Sequence, residues 1–267
     1  ENRDYAKAGE KEIKKAFFAN PALVKLLNYS KKDRTILDCG CGDGRIINIL
    51  WRKDAFFTGI DISKRAIKSA KFRFKSKENV KLKVADLEKL NLKAETFDLV
   101  YSVYTLEHVD KPEKVIANMT HLVRKGGKLI IVCPNYGSPF QPSGMKLASG
   151  DGGLERAINI FLKSHTYFLK RPLDLEWGKV YSKSLEKGEW RPDWDITIEP
   201  YIQTLIYFLN NNNLRIVESS SFIETTKRYP KLLLRNHIRA FFETLGMWGI
   251  PPYKYYGPTL FVVAKKP

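Results

Sequence analysis

Thr35-Ile-Leu-Asp-Cys-Gly-Cys-Gly-Asp-Gly-Arg45 decides the fold of this chain. An apolar run, Ile36-Leu37, reaches an acid, Asp38, and then glycines at alternate positions, Gly40, Gly42 and Gly44, before a helical pattern opens at Ile46-Ile47-Asn48-Ile49-Leu50. The order predicts strand, tight turn, helix. Glycine lacks a Cβ, so such a turn adopts positive φ and lets its backbone lie against a ligand. A dinucleotide fingerprint spaces its last two glycines by two residues; here a single residue separates each pair, which departs from a pyrophosphate site. The Gly-Lys-Ser/Thr ending of a P-loop is absent as well. An acid just ahead of the glycines suits a ligand that carries a positive amino group there.

On these residues the stretch resembles motif I of the class I S-adenosylmethionine-dependent methyltransferases, D/E-x-G-x-G-x-G. The rest of the chain extends the resemblance. Ala55-Phe-Phe-Thr-Gly-Ile-Asp-Ile62 reads as a second strand ending in Asp61, about twenty residues past the turn, where a carboxylate can accept both ribose hydroxyls. Ser63 is the better N-cap for the helix that follows over Lys64 to Lys77, a helix expected to pack on the sheet with a solvated basic face. Val80 to Ala85 alternates as a third strand, followed by Asp86-Leu87. Thr96 to Tyr101 is the fourth strand and leads into Ser102-Val-Tyr-Thr-Leu-Glu-His-Val-Asp110. The pairing of F-D-L-V with L-E-H-V is similar to the small-molecule branch typified by ubiquinone-biosynthesis O-methyltransferases. Lys111-Pro112 begins a helix reaching about Val123. Arg124-Lys-Gly-Gly-Lys128 reads as a turn and Leu129 to Cys133 as a buried fifth strand, and the Pro134-Asn135 pair after it fits the same branch.

The resemblance implies a Rossmann-like, doubly wound α/β fold: a seven-stranded, mostly parallel sheet with an antiparallel last strand and helices on both faces. Alternating βα units support the parallel part independently. It implies S-adenosylmethionine as cofactor, with Asp38, Gly40, Cys41 and Gly42 at the methionine end, Asp61 and Ile62 at the ribose, Asp86 and Leu87 at the adenine, and Tyr101 and Ser102 facing the methyl group. The whole of 1–267 reads as one domain with two insertions, 137–195 as a substrate cover and 225–257 carrying a helix that reads first as core packing and otherwise as a lid, interface or membrane-surface helix. Residues 5 to 29 form amphipathic helices broken at Asn20-Pro21, and Leu154 to Leu169, Pro200 to Asn213 and Leu214 to Glu224 read as helix, helix and strand.

For a proton acceptor, the sequence offers His108, whose ordinary pKa of ~6.5 suits the role, and Asp195 in the aromatic segment Trp190-Arg-Pro-Asp-Trp-Asp195. Orientation of a loop by His108 and a capping turn at Asp195 remain open beside those roles, and His165 is a lesser candidate. Cys39 and Cys41 form a C-x-C with no second ligand pair at metal spacing, so no metal is expected and the cysteines read as small residues in a crowded turn. No stretch approaches the ~20 apolar residues of a membrane span, and the start lacks a signal-peptide pattern, so a cytoplasmic protein is expected. The net charge of +17 invites an anionic partner or reflects a lysine-rich proteome. The acceptor favoured is a hydroxyl on a small molecule or a glycan, free or lipid-linked. RNA methylation is the second enzymatic reading, and a cofactor-binding partner subunit without catalysis the third.

Overall fold

A computed structural model describes residues 10–140, 153–169, 177–179, 197–222, 238, 241–242, 244–246 and 248–267. Strand β1 (Thr35–Cys39) runs parallel to β2 (Phe56–Asp61) on one side and β4 (Phe97–Val103) on the other; β3 (Val80–Val84) lies parallel outside β2, and β5 (Val123–Pro134) parallel outside β4. After β5 come α6 (Leu154–Leu169), the two-residue strands β6 (Gly178–Lys179) and β7 (Ile198–Glu199), α7 (Ile202–Asn211), β8 (Arg215–Phe222) and β9 (Thr259–Lys265). Strand β9 slots between β5 and β8, antiparallel to both, giving the order β3-β2-β1-β4-β5-β9-β8. This is the sheet implied by the sequence.

Burial explains the strands. Ile36 and Leu37 are both fully buried but enter different cores, because successive side chains leave opposite faces. On one face pack α1 (Glu10–Phe18), α2 (Pro21–Ser30), α3 (Arg45–Leu50) and α4 (Lys64–Arg73); on the other, α5 (Pro112–Leu122) and α7. Asn20 does break the N-terminal helix: its Oδ1 accepts from the Ala22 N–H at 3.0 Å with Pro21 in the first turn of α2. Ser63 caps α4 through the Ala66 N–H at 3.2 Å.

Three boundaries differ from expectation. Helix α4 ends at Arg73 rather than Lys77, since Phe74 leaves helical geometry at φ −104° and ψ 17° and the chain turns toward β3. Arg124 to Lys128 is a bulge inside β5 rather than a turn before it: Val123 pairs with Phe97 and Lys128 with Leu99, and Gly126 takes φ +73° to absorb the excess. Strand β4 continues two residues past Tyr101, because Ser102 and Val103 pair with Ile131 and Val132. The order of strands reverses between β1 and β4, and in open α/β sheets the crevice at the carboxyl ends beside such a reversal receives the ligand.

Candidate cofactor and acceptor site

The glycine turn is bolted to the next strand by its backbone. Both the Gly40 and Cys41 N–H groups donate to the Ile60 carbonyl, at 2.8 and 2.9 Å. Gly40 has φ +82°, and a Cβ there would fall 2.7 Å from Thr105 Cβ, so the loop after β4 sits directly on it. Gly42, at φ +52°, is the opposite: a Cβ would meet nothing within 4 Å, leaving open space above the crest of the turn. Asp61 joins that crest to the start of α4, its Oδ2 accepting from the Gly42 N–H and its Oδ1 from the Ser63 N–H, each at 2.8 Å. Next to it, Asp86 accepts from the Glu88 N–H at 2.9 Å with the Lys89 ammonium 3.6 Å away. Both acids are half-buried at the tips of neighbouring strands. Ile62 is exposed beside Asp61, while Leu87 is buried and its carbonyl is held by Asn118 Nδ2 at 2.8 Å.

Asp38, Tyr101 and Ser102 are placed differently from the expectation. Asp38 is buried beneath the turn, where its carboxylate accepts from the Tyr101 hydroxyl at 2.9 Å. Burial pushes its pKa up to about 8; the Tyr101 hydrogen bond opposes that rise and the Asp61 charge adds to it. Burial likewise drives the Tyr101 phenol far above its ordinary value. With β4 running on to Val103, Tyr101 and Ser102 are buried inside the strand instead of standing at its tip. The tip belongs to Tyr104 and Thr105, which the sequence reading missed.

Tyr104 has φ +51°, a left-handed conformation that a bulky residue rarely holds without support. The support is a pair of hydrogen bonds, one received from Asn20 Nδ2 at 2.8 Å and one shared with Thr259 Oγ1 at 3.1 Å. They tie the start of α2, the tip of β4 and the start of β9 together. Tyr104 also lines a cavity of about 610 Å³ between α1 and α3, walled by Ile13, Phe17, Leu23, Ile46 and Ile49 with Arg45 at the glycine turn. Arg45 is oriented by Asp43, Nε to Oδ2 2.9 Å.

Of the proposed proton acceptors, His108 sits in a 3-10 turn with its ring exposed and Nε2 3.9 Å from Oε1 of the buried Glu107. It is not among the residues lining the cavity. His165 is engaged elsewhere, with Nδ1 at 2.8 Å from the Phe161 carbonyl and Nε2 at 3.2 Å from the Tyr253 hydroxyl. Asp195 lies outside the described residues. The C-x-C is divided by the sheet, Cys39 entering one core and Cys41 the other.

The segment after β5 and the segment before β9 meet at the same sheet edge, since β9 starts opposite the end of β5, Thr259 pairing with Pro134. Phe140 and Phe161 from the first stack around Phe242, Tyr253 and Tyr256 from the second, with ring centroids 5.1 to 6.4 Å apart. Asn135 fastens the two: Nδ2 donates to the Tyr255 and Gly257 carbonyls at 2.5 and 2.7 Å, and Oδ1 accepts from the Gly137 N–H at 3.2 Å.

With this geometry in place, comparison with known proteins defines the class. Residues 37–131 match the family model described as a methyltransferase domain. The chain is 32% identical over 121 residues to the ubiquinone biosynthesis O-methyltransferase of Coxiella burnetii, covering 44% of this chain and 52% of that one, so it spans about half the length of that curated relative. It is 38% identical over 176 residues to an uncharacterized protein of Methanocaldococcus jannaschii, covering 61% of this chain and 71% of the other. A solved S-adenosylmethionine-dependent methyltransferase from Archaeoglobus fulgidus, 18% identical, shares the fold with a TM-score of 0.58 over 98% of this chain and 100% of its own. Residues 37–131 thus carry a methyltransferase domain, on the Rossmann-like fold shared by S-adenosylmethionine-dependent methyltransferases, whose cofactor is S-adenosylmethionine. The open crest at Gly42 and the half-exposed carboxylates of Asp61 and Asp86 beside it fit that cofactor.

Proposed function

We propose that this protein is a cytoplasmic methyltransferase that moves the methyl group of S-adenosylmethionine to a hydroxyl on an apolar-bodied small molecule, free or lipid-linked. The cavity at Tyr104 carries this reading: it adjoins the glycine turn through Arg45, and its walls are mostly aliphatic and aromatic. When bound, the cofactor supplies an already activated sulfonium methyl group. The chain's own residues then bind, align and keep water out. Asp61 takes the ribose hydroxyls, with its position fixed by the Gly42 and Ser63 amides. Asp86 and Leu87 meet the adenine, and Gly40, Cys41 and Gly42 allow close approach of the methionine end. Asp38 and Tyr101 act from below, as a buried strut under the turn. Tyr104 positions the acceptor, and His108 or Asp195 takes its proton. The chain reads as one domain, supported by seven of the described strands, from residue 35 to residue 265, sharing one sheet.

Calorimetric titration with S-adenosylmethionine tests the first step. Asp61→Ala removes the charged acceptor proposed for the ribose hydroxyls, a hydrogen bond worth about 1.5–3 kcal/mol, so affinity falls about tenfold to a hundredfold; unchanged affinity refutes the ribose assignment. Transfer of labelled methyl to fractions of a cell extract tests the second. A product in the lipid or small-molecule fraction supports the reading, a labelled RNA replaces it, and binding without transfer to any fraction points to a partner subunit.

A further inference from the structure

We propose that the outer face of α4, with the turn that follows it, docks on an anionic lipid bilayer. Between Lys64 and Lys83 stand nine lysines and arginines and a single acid, Glu78. Arg73 and Lys77 have work within the fold: Arg73 pairs with Asp43 at 3.2 Å, and the Lys77 ammonium lies 3.8 Å from the Trp51 ring centroid. Because Ile67, Ala70 and Phe74 turn into the core, Lys64, Lys68 and Lys71 line the outer side of α4, and Lys75 continues the row in the turn beyond. Lys81 and Lys83 of edge strand β3 are exposed as well but leave the opposite face of the sheet, since Val80 and Leu82 turn into the core beneath α4. All six are exposed, and none is within ion-pair distance of a described acid.

A lysine-rich proteome does not account for this concentration, for α7 in the same chain carries no charged residue at all. The partner is therefore anionic. Its kind follows from what flanks the lysines: Phe72 and Ile62 are 74% and 70% exposed, with the Lys75 ammonium 5.0 Å from the Phe72 ring centroid. Basic residues interleaved with exposed apolar ones on an outer helix surface match a bilayer interface. Proteins that hold single-stranded nucleic acid track its backbone in a groove, whereas the α4 lysines stand on an exposed helix. The same helical layer, through α1 and α3, walls the apolar cavity. Delivery of a lipid-linked acceptor to that cavity rests on the reading above; the docking itself does not.

Sedimentation with vesicles tests it, in the absence of cofactor and acceptor. The protein is expected to bind vesicles of phosphatidylglycerol and phosphatidylcholine, not phosphatidylcholine alone, and to be released as salt shortens the screening length. Each lysine near such a surface raises partitioning about fivefold, so K64E/K68E/K71E/K75E loses a hundredfold or more. K93E/K111E/K114E/K125E makes the same charge change at exposed positions away from α4 and retains most of the binding. Thermal unfolding of both variants, matched to the parent, keeps the comparison clean. Equal losses in the two variants overturn the proposal, because net charge alone then explains binding. So does displacement from the vesicles by a structured RNA at concentrations below those of the lipid. Either failure leaves labelled methyl transfer unaffected.

Discussion

Asp38 shows how far a motif residue's place can differ from its printed position. The acid was legible in the sequence; that it faces inward onto Tyr101 was not, because the length of β4 is set by pairing with β5. With its pKa raised from 3.8 to about 8 by burial, the folded protein holds a proton there that the unfolded chain releases. The folded state thus binds more protons between about pH 4 and pH 8, and stability falls as pH rises through that window. Asp38→Asn keeps an acceptor for the Tyr101 hydroxyl and removes the titration. Urea unfolding at a series of pH values is expected to show a flatter dependence in this variant than in the parent. Gly40 makes a second case. Gly40→Ala forces a left-handed φ on a Cβ that also strikes Thr105, so it costs more than the ~1–2 kcal/mol of conformation alone. Adding Thr105→Gly relieves the collision but not the conformation, and a double-mutant cycle by denaturant unfolding is expected to recover part of the loss.

Among elements, those with a strong local pattern were readable: β1 from its apolar run and glycines, α6 over Leu154–Leu169 from its periodicity, and the break at Asn20 from the following proline. Elements shaped by a distant partner were not. Lys125-Gly-Gly looks like a turn in isolation and becomes a bulge only because Val123 and Lys128 both find partners on β4. Tyr104 and Thr105 escaped notice for a related reason, since nothing local announces a tyrosine at φ +51° braced by Asn20 and Thr259. Asn135, read from sequence only as part of a proline-asparagine pair, proves to be the clasp between the chain just after β5 and the chain just before β9. Asn135→Ala leaves two buried carbonyls without this donor, at a cost of about 1–3 kcal/mol each at most. Hydrogen exchange is expected to accelerate first around Tyr253–Tyr255, ahead of the central strands, while unfolding shifts to lower denaturant.

At the scale of the whole molecule, two apolar cores sandwich one sheet, and the features argued to serve function gather on its carboxyl edge and on one of its helical layers. The acids of β2 and β3, the turn after β1 and the residues after β4 converge because parallel strands all present their ends to one side. Strand β9 departs from that rule, and its lateral place has a temporal consequence. Strand β8 reaches the sheet only through β9, which follows it in the chain by a long detour. During synthesis, therefore, β5 must wait with a bare flank until residues 259–265 leave the ribosome, so the nascent chain passes through a stage at which a chaperone, or a neighbour's strand, can take the place its own last strand is due to fill.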